Sequence, residues 1–140
     1  MRRSTPVIGL IVGLLISLGL AVPASAAPAF RALLFTKTTG YRHDSIPAGI
    51  SMLQQQAAAN NFELVQTEDA SVFTAANLAT FDVLIMLQTS GMVWTSAAQR
   101  QALEGYVAGG KGIVAIHNAT DMGIEGEYPW WDQKIGRAHV

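Results

Sequence analysis

The run Val83-Leu84-Ile85-Met86-Leu87 constrains this chain more than any other stretch. Five apolar residues in succession leave no polar face for water, and the run is too short for a helix. Strands of this kind are covered on both faces, as in the parallel sheets of α/β folds. Ala32-Leu33-Leu34-Phe35 and Gly112-Ile113-Val114-Ala115-Ile116 have the same character. Phe62-Glu63-Leu64-Val65-Gln66-Thr67 reads as a further, more polar strand.

Helical patterns alternate with these strands. Ile46, Ile50 and Leu53 recur at helical spacing, and the pattern continues to Ala59 before Asn60-Asn61 stops it. Asp44 or Ser45 can cap that helix, and Pro47 is tolerated in a first turn whose N–H groups lack partners. Thr74 caps a short turn ending at Leu78. Ser96-Ala97-Ala98-Gln99 matches a capping box, Leu103, Tyr106 and Val107 supply a buried face, and Gly109-Gly110 ends the helix. Alternation of this sort predicts a parallel sheet joined by right-handed crossovers. In the flavodoxin-like order, 2-1-3-4 here, the carboxyl ends of strands one, three and four converge on one crevice, where such sheets bind ligands. The loops at those ends are polar: residues 36–45, 88–92 and 117–121.

The chain's two ends read differently from its middle. Arg2 and Arg3 precede an apolar run from Val7 to Val22, and Ala24-Ser25-Ala26 has the small-x-small form of a cleavage site. Residues 1–26 are therefore expected to be a secretory signal peptide, leaving no membrane span after cleavage and a secreted or periplasmic product. An uncleaved N-terminal anchor is the alternative. The remaining 114 residues suffice for one domain, with seven basic residues against ten acidic ones. No basic patch survives, which argues against nucleic acid. The absence of cysteine removes disulfides, thiolate metal sites and any cysteine nucleophile. At the other end, residues 135–140 have no periodic pattern and match what a sequencing adapter encodes in one frame. They are expected to be a non-native tail on a domain, residues 27–134, that is incomplete at its C-terminus.

Two families share this layout. Class I glutamine amidotransferases place a nucleophilic cysteine on an elbow near the fourth strand, and this chain has no cysteine to place there. The segment Phe35-Thr36-Lys37-Thr38-Thr39-Gly40-Tyr41-Arg42-His43-Asp44-Ser45-Ile46 instead closely resembles the opening motif of the trehalose-utilisation (ThuA-like) family. Thr67-Glu68-Asp69, Phe81-Asp82-Val83 and the stretch from Gly109 to His117 resemble its later landmarks, in order. The resemblance spans residues 32–132. It implies a class I amidotransferase-like fold without the cysteine, and a role in carbohydrate metabolism that includes oxidised (keto) sugars.

His43 and His117 fall in the two strongest motifs of that resemblance. Histidine can donate or accept a proton near neutrality, which suits sugar binding and acid–base work alike. Asp121, beside His117, completes the expected catalytic set, unless it serves an Asx turn. The expected substrate-binding set is Lys37, Tyr41, Arg42, Asp44, Thr89, Ser90, Gly91, Asn118, Trp130 and Trp131. Asp44 can orient His43 or cap the helix; Lys37 and Arg42 can meet an acidic or keto oxygen or stay solvated. Trp130 and Trp131 suit stacking on sugar rings, and one of them equally suits the core. His43, His117, Asp44 and Asp121 lack the spacing of a compact ligand motif, so no metal is expected. Gly109-Gly110-Lys111-Gly112 precedes a strand, whereas a phosphate-cradling loop follows one, so no nucleotide cofactor is expected. The expectation is a carbohydrate-directed domain: a hydrolase or lyase using histidine, or a non-catalytic binding or scaffolding domain of a larger secreted protein.

Overall fold

The computed structural model describes residues 26–123 and 126–136. The expected signal segment up to Ser25 and the last four residues of the expected tail lie outside the described residues. No helix among the described residues is long and apolar enough to cross a membrane.

Four parallel strands form one sheet in the order β2-β1-β3-β4. They are β1 (Arg31–Phe35), β2 (Glu63–Thr67), β3 (Val83–Leu87) and β4 (Gly112–Ile116). The helices are α1 (Ile46–Ala59), α2 (Ala75–Leu78), α3 (Ala97–Ala108) and α4 (Pro129–Lys134), with a 3₁₀ turn at Ala70–Val72. This is the order and direction that the buried apolar runs predict. Successive side chains of a strand point to opposite faces. In β1, Leu33 and Phe35 join a large core with Phe73, Trp94, Leu103 and Trp131, while Ala32 and Leu34 meet Ile85 and Leu87 under α1. The central strands β1 and β3 are buried on both faces, as their composition requires.

The caps follow their chemistry in part. Ser96 and Gln99 form a reciprocal capping box on α3, and Thr74 caps α2 by accepting from the Asn77 N–H. Gly110, just past α3, takes a left-handed φ of 83°. At α1 the N-cap is Ser45, but neither it nor Asp44 makes a side-chain cap. Ser45 Oγ is instead engaged by Gln88, through contacts of 2.9 and 3.1 Å. The aromatic segment near the C-terminus is helical. Pro129 opens helix α4, and within it Trp131 packs 5.3 Å from Trp94. Proline suits a first helical turn, and the buried Trp131 anchors the helix to the core.

The loops at the carboxyl ends of the strands are tied together through residues 89–91. Thr38 pairs with Ser90 in an isolated parallel bridge, and Thr39 N–H donates to the Ser90 carbonyl at 2.8 Å. Gly91 has φ of 70°, and a Cβ there would stand 2.8 Å from the Gly40 nitrogen and 2.5 Å from Thr39 Oγ1. At the opposite ends of the strands, Asp82 links three elements. Its carboxylate accepts from the Arg31 N–H and from Lys111 Nζ, each at 3.0 Å.

Two outcomes follow. Gly91→Ala forces a side chain into a left-handed, crowded position and should lower stability by about 1–3 kcal/mol in urea denaturation. Gly112→Ala, whose Cβ would meet only a Val83 methyl at 3.8 Å, should change it little. The second outcome concerns acid. Hydrogen bonds from the Arg31 N–H and from Lys111 hold the Asp82 carboxyl below its ordinary value. A depressed folded-state pKa adds stability above the ordinary value of 3.8, and that stability is lost as pH falls through the lower folded value. Asp82→Asn should therefore flatten the decline in thermal stability below pH 3.8, measured against the parent chain.

Candidate functional site

The opening motif places its side chains because β1 ends in a fully buried residue. Thr36 is bonded to the end of β2: its hydroxyl donates to Glu68 Oε1 and accepts from Gln66 Nε2, each at 3.2 Å. The chain then leaves the sheet and crosses toward β3. The Ser90 carbonyl takes the N–H groups of Thr39 and Gly40, and Ser90 Oγ donates to the Tyr41 carbonyl at 2.5 Å. This lays residues 39–43 over the end of β3, leaving Tyr41 70% exposed and His43 half-buried.

From the other side, β4 ends at Ile116 and the next residue, His117, has φ of 61°. A left-handed residue directly after a strand turns the chain sharply, and a non-glycine residue holds that conformation at some cost. Gln88 does the same after β3, with φ of 52°. The turn through residues 118–121 closes with the Asp121 N–H on the Asn118 carbonyl at 2.8 Å. It is tied to the β3 loop by Gly91 N–H to the Asp121 carbonyl and by Thr89 Oγ1 to the Ala119 carbonyl, both at 3.1 Å.

The two loops bring the imidazoles of His43 and His117 into contact. Their ring centroids lie 4.6 Å apart, with the planes tilted by 56°. The Tyr41 ring meets His43 edge-on at 4.8 Å. Tyr41, His43, His117, Asn118 and Asp121 line one cleft of about 260 Å³. Asn118 is only 6% exposed, and its Oδ1 has no hydrogen-bond partner among the described residues. One imidazole can accept a proton while its neighbour donates one, so the pair suits proton transfer to a bound hydroxyl or carbonyl oxygen.

The other expected residues divide into three groups. Thr89 and Ser90 are buried behind the cleft, and they and Gly91 brace its walls rather than line it. Arg42 is paired with Glu68 at 2.8 Å, Lys37 is half-buried, and Asp44 is exposed; none of the three lines the cleft. Trp131 is fully buried, its Nε1 donating to the Thr120 carbonyl, while Trp130 is half-buried against Tyr128. Neither tryptophan lines the cleft. Among the described residues no cluster of three histidine or acidic side chains has the arrangement of a metal site. Gln88 and Glu68 are the residues with a role here that sequence reasoning did not single out. Their signal is topological: each follows a strand whose end adjoins the first loop.

The geometry can now be set beside known proteins. The profile of the ThuA family, trehalose utilisation, matches residues 31–139. A solved structure of a ThuA-like protein from Bacteroides uniformis superposes with a TM-score of 0.65 at 25% identity. The alignment covers 82% of this chain and 46% of that one, so the chain spans about half the length of its solved relative. No curated protein matches it. With the family profile running from the first strand through the last described helix, the chain belongs to the ThuA, trehalose-utilisation, family.

Proposed function

We propose that this ThuA-family domain binds a sugar or oxidised-sugar derivative in the cleft that His43 and His117 line, and that the two imidazoles exchange protons with it. The observation that carries the reading is the 4.6 Å approach of these rings in a cleft that Tyr41, Asn118 and Asp121 also line. A sugar ring presents hydroxyls that both donate and accept, which matches a lining of two imidazoles and the Asp121 carboxylate. The exposed Tyr41 ring offers a flat apolar face at the rim. A keto-sugar also carries an acidic C–H next to its carbonyl, and a histidine base suits removal of that proton in a lyase step. In hydrolysis of a glycosidic bond, one imidazole would take a proton from the attacking water while the other gives one to the leaving oxygen.

The alternative is a domain that binds carbohydrate without turnover. It is favoured by the cleft's small volume, about 260 Å³, in a chain that spans 46% of its solved relative.

The test uses glucosides and their 3-keto derivatives, followed by calorimetry for binding and by product analysis for turnover. His117→Asn is the informative change at that site, because asparagine also accepts the left-handed backbone and the fold is kept. With chemistry, His43→Ala or His117→Asn should lower kcat by about 10²–10⁴-fold for whichever imidazole moves the proton. With binding alone, both changes weaken affinity and no turnover exists to lose. Affinity unchanged in both variants refutes the site itself.

Export belongs to the same reading: residues 1–26 direct secretion and are removed. Mass spectrometry of the secreted product should then show Ala27 as the first residue. Retention of Arg2 and Arg3 in a membrane fraction would show an anchor instead.

A further inference from the structure

Gln88 breaks two local rules at once, and both lead to the same contact. It is the first residue after β3 and takes a left-handed φ of 52°. Glutamine lacks the tolerance of that region that glycine or asparagine has, so its backbone is held there at a cost. The second rule is broken at α1. Ser45 is its N-cap, and serine suits that place well, yet its hydroxyl makes no cap bond. Ser45 Oγ lies instead 2.9 Å from Gln88 Nε2 and 3.1 Å from Gln88 Oε1. Ser45 is exposed and Gln88 only half-buried, so water competes for this contact and it adds little to stability. A strained backbone and a forgone cap, exchanged for a weak bond, point to position rather than to stability.

The neighbours show what is positioned. Gln88 N–H donates to the Ile116 carbonyl at 3.2 Å, and the next residue is His117. On the other side, Ser45 belongs to the turn that His43 opens, in which the Ile46 N–H donates to the His43 carbonyl at 3.2 Å. Ile46 is fully buried, so that turn is anchored both to the core and to Gln88. Gln88 therefore holds the His43 loop through its side chain and the His117 loop through its backbone. It stands between them, since β3 lies between β1 and β4 in the sheet. It does not itself line the cleft.

We propose that Gln88 is a positioning residue for the histidine pair: bonded to both loops, it sets the 4.6 Å approach of the His43 and His117 rings. The left-handed backbone turns the chain at the end of β3, and the amide draws Ser45 away from the helix cap and keeps it beside that strand. The effect on turnover rests on the two imidazoles being the working pair, as proposed above. The effect on ring contact does not.

The test is an NOE between carbon-bound ring protons of the two imidazoles in the full chain, whose three histidines keep that spectrum simple. Rings this close should give a cross-peak in the parent chain. Gln88→Gly relieves the left-handed backbone and removes the amide. The cross-peak should be lost while the melting temperature holds or rises. Ser45→Ala removes the same bond from the other side and should also lose the cross-peak. Gln88→Glu still accepts from the Ser45 hydroxyl and should keep it. Where a glucoside is turned over, Gln88→Gly should lower kcat by about tenfold to 10²-fold with KM little changed, the cost of a misplacement on the order of 1 Å. Parental cross-peak intensity in Gln88→Gly or Ser45→Ala overturns the proposal, as does absence of the cross-peak from the parent. A marked fall in the melting temperature of Gln88→Gly overturns it too, because the residue then serves the fold. Loss in Gln88→Glu equal to that in Gln88→Gly overturns the role of the bond to Ser45. Sugars that fail to bind, with the cross-peaks behaving as expected, refute the proposed ligand and uphold the positioning role.

Discussion

The cleft depends on Ser90. Its carbonyl receives the Thr39 and Gly40 N–H groups, and its hydroxyl holds the Tyr41 carbonyl. Each such bond contributes on the order of 1 kcal/mol, but their effect on position is larger than their sum suggests. A ten-residue loop following a strand has many paths across the top of a sheet. Three consecutive residues fixed to one serine leave a single path, and it delivers His43 to the region above β3. Gly91 must be glycine for the loops to approach this closely, since any Cβ would strike Thr39 and Gly40.

The same segment braces the other wall. Thr89 and Gly91 reach the Ala119 and Asp121 carbonyls, so the β3 loop holds the β1 loop with one residue and the β4 loop with its two neighbours. Residues 89–91 are thus the spine of the site without lining it. The burial of Thr89 and Ser90 explains why small polar types stand there. A larger side chain would part the loops, and an apolar one would leave the carbonyls it meets unpaired.

Much of this was legible in the sequence, and the remainder was hidden for definite reasons. Runs such as Val83–Leu87 admit one reading, because no other element buries five consecutive apolar residues so briefly. The α3 capping box is equally local, with donor and acceptor three residues apart. Ser45 failed as a cap because Gln88, 43 residues away, competes for its hydroxyl, and no local rule sees that partner. Strand spacing puts the ends of β1 and β4 about 10 Å apart, with β3 between them. The rings meet at 4.6 Å because the left-handed turn at His117 and the Ser90 bridge both displace chain toward β3, and neither is written in strand periodicity. The tryptophans looked alike in sequence, but in α4 they lie on different sides of a helix. Trp131 reaches Trp94 and the core while Trp130 remains half-buried.

The packing around β4 sets the site's limits. The large core lies on the α3 and α4 face, and the smaller cluster under α1 draws only on Ile116 from β4. Val114 is consequently 47% exposed, although its strand has the composition of a buried one. Edge strands with apolar faces are ordinarily covered or blunted, and no charge, proline or bulge blunts this one. His117 stands directly beyond that strand, so the wall it forms is supported from the β3 side through Thr89 and Gly91. A segment packed on β4 would therefore also adjoin His117. The spacing of the imidazoles, by contrast, depends on Ser90, Gly91 and the backbone of His117, all within the described loops.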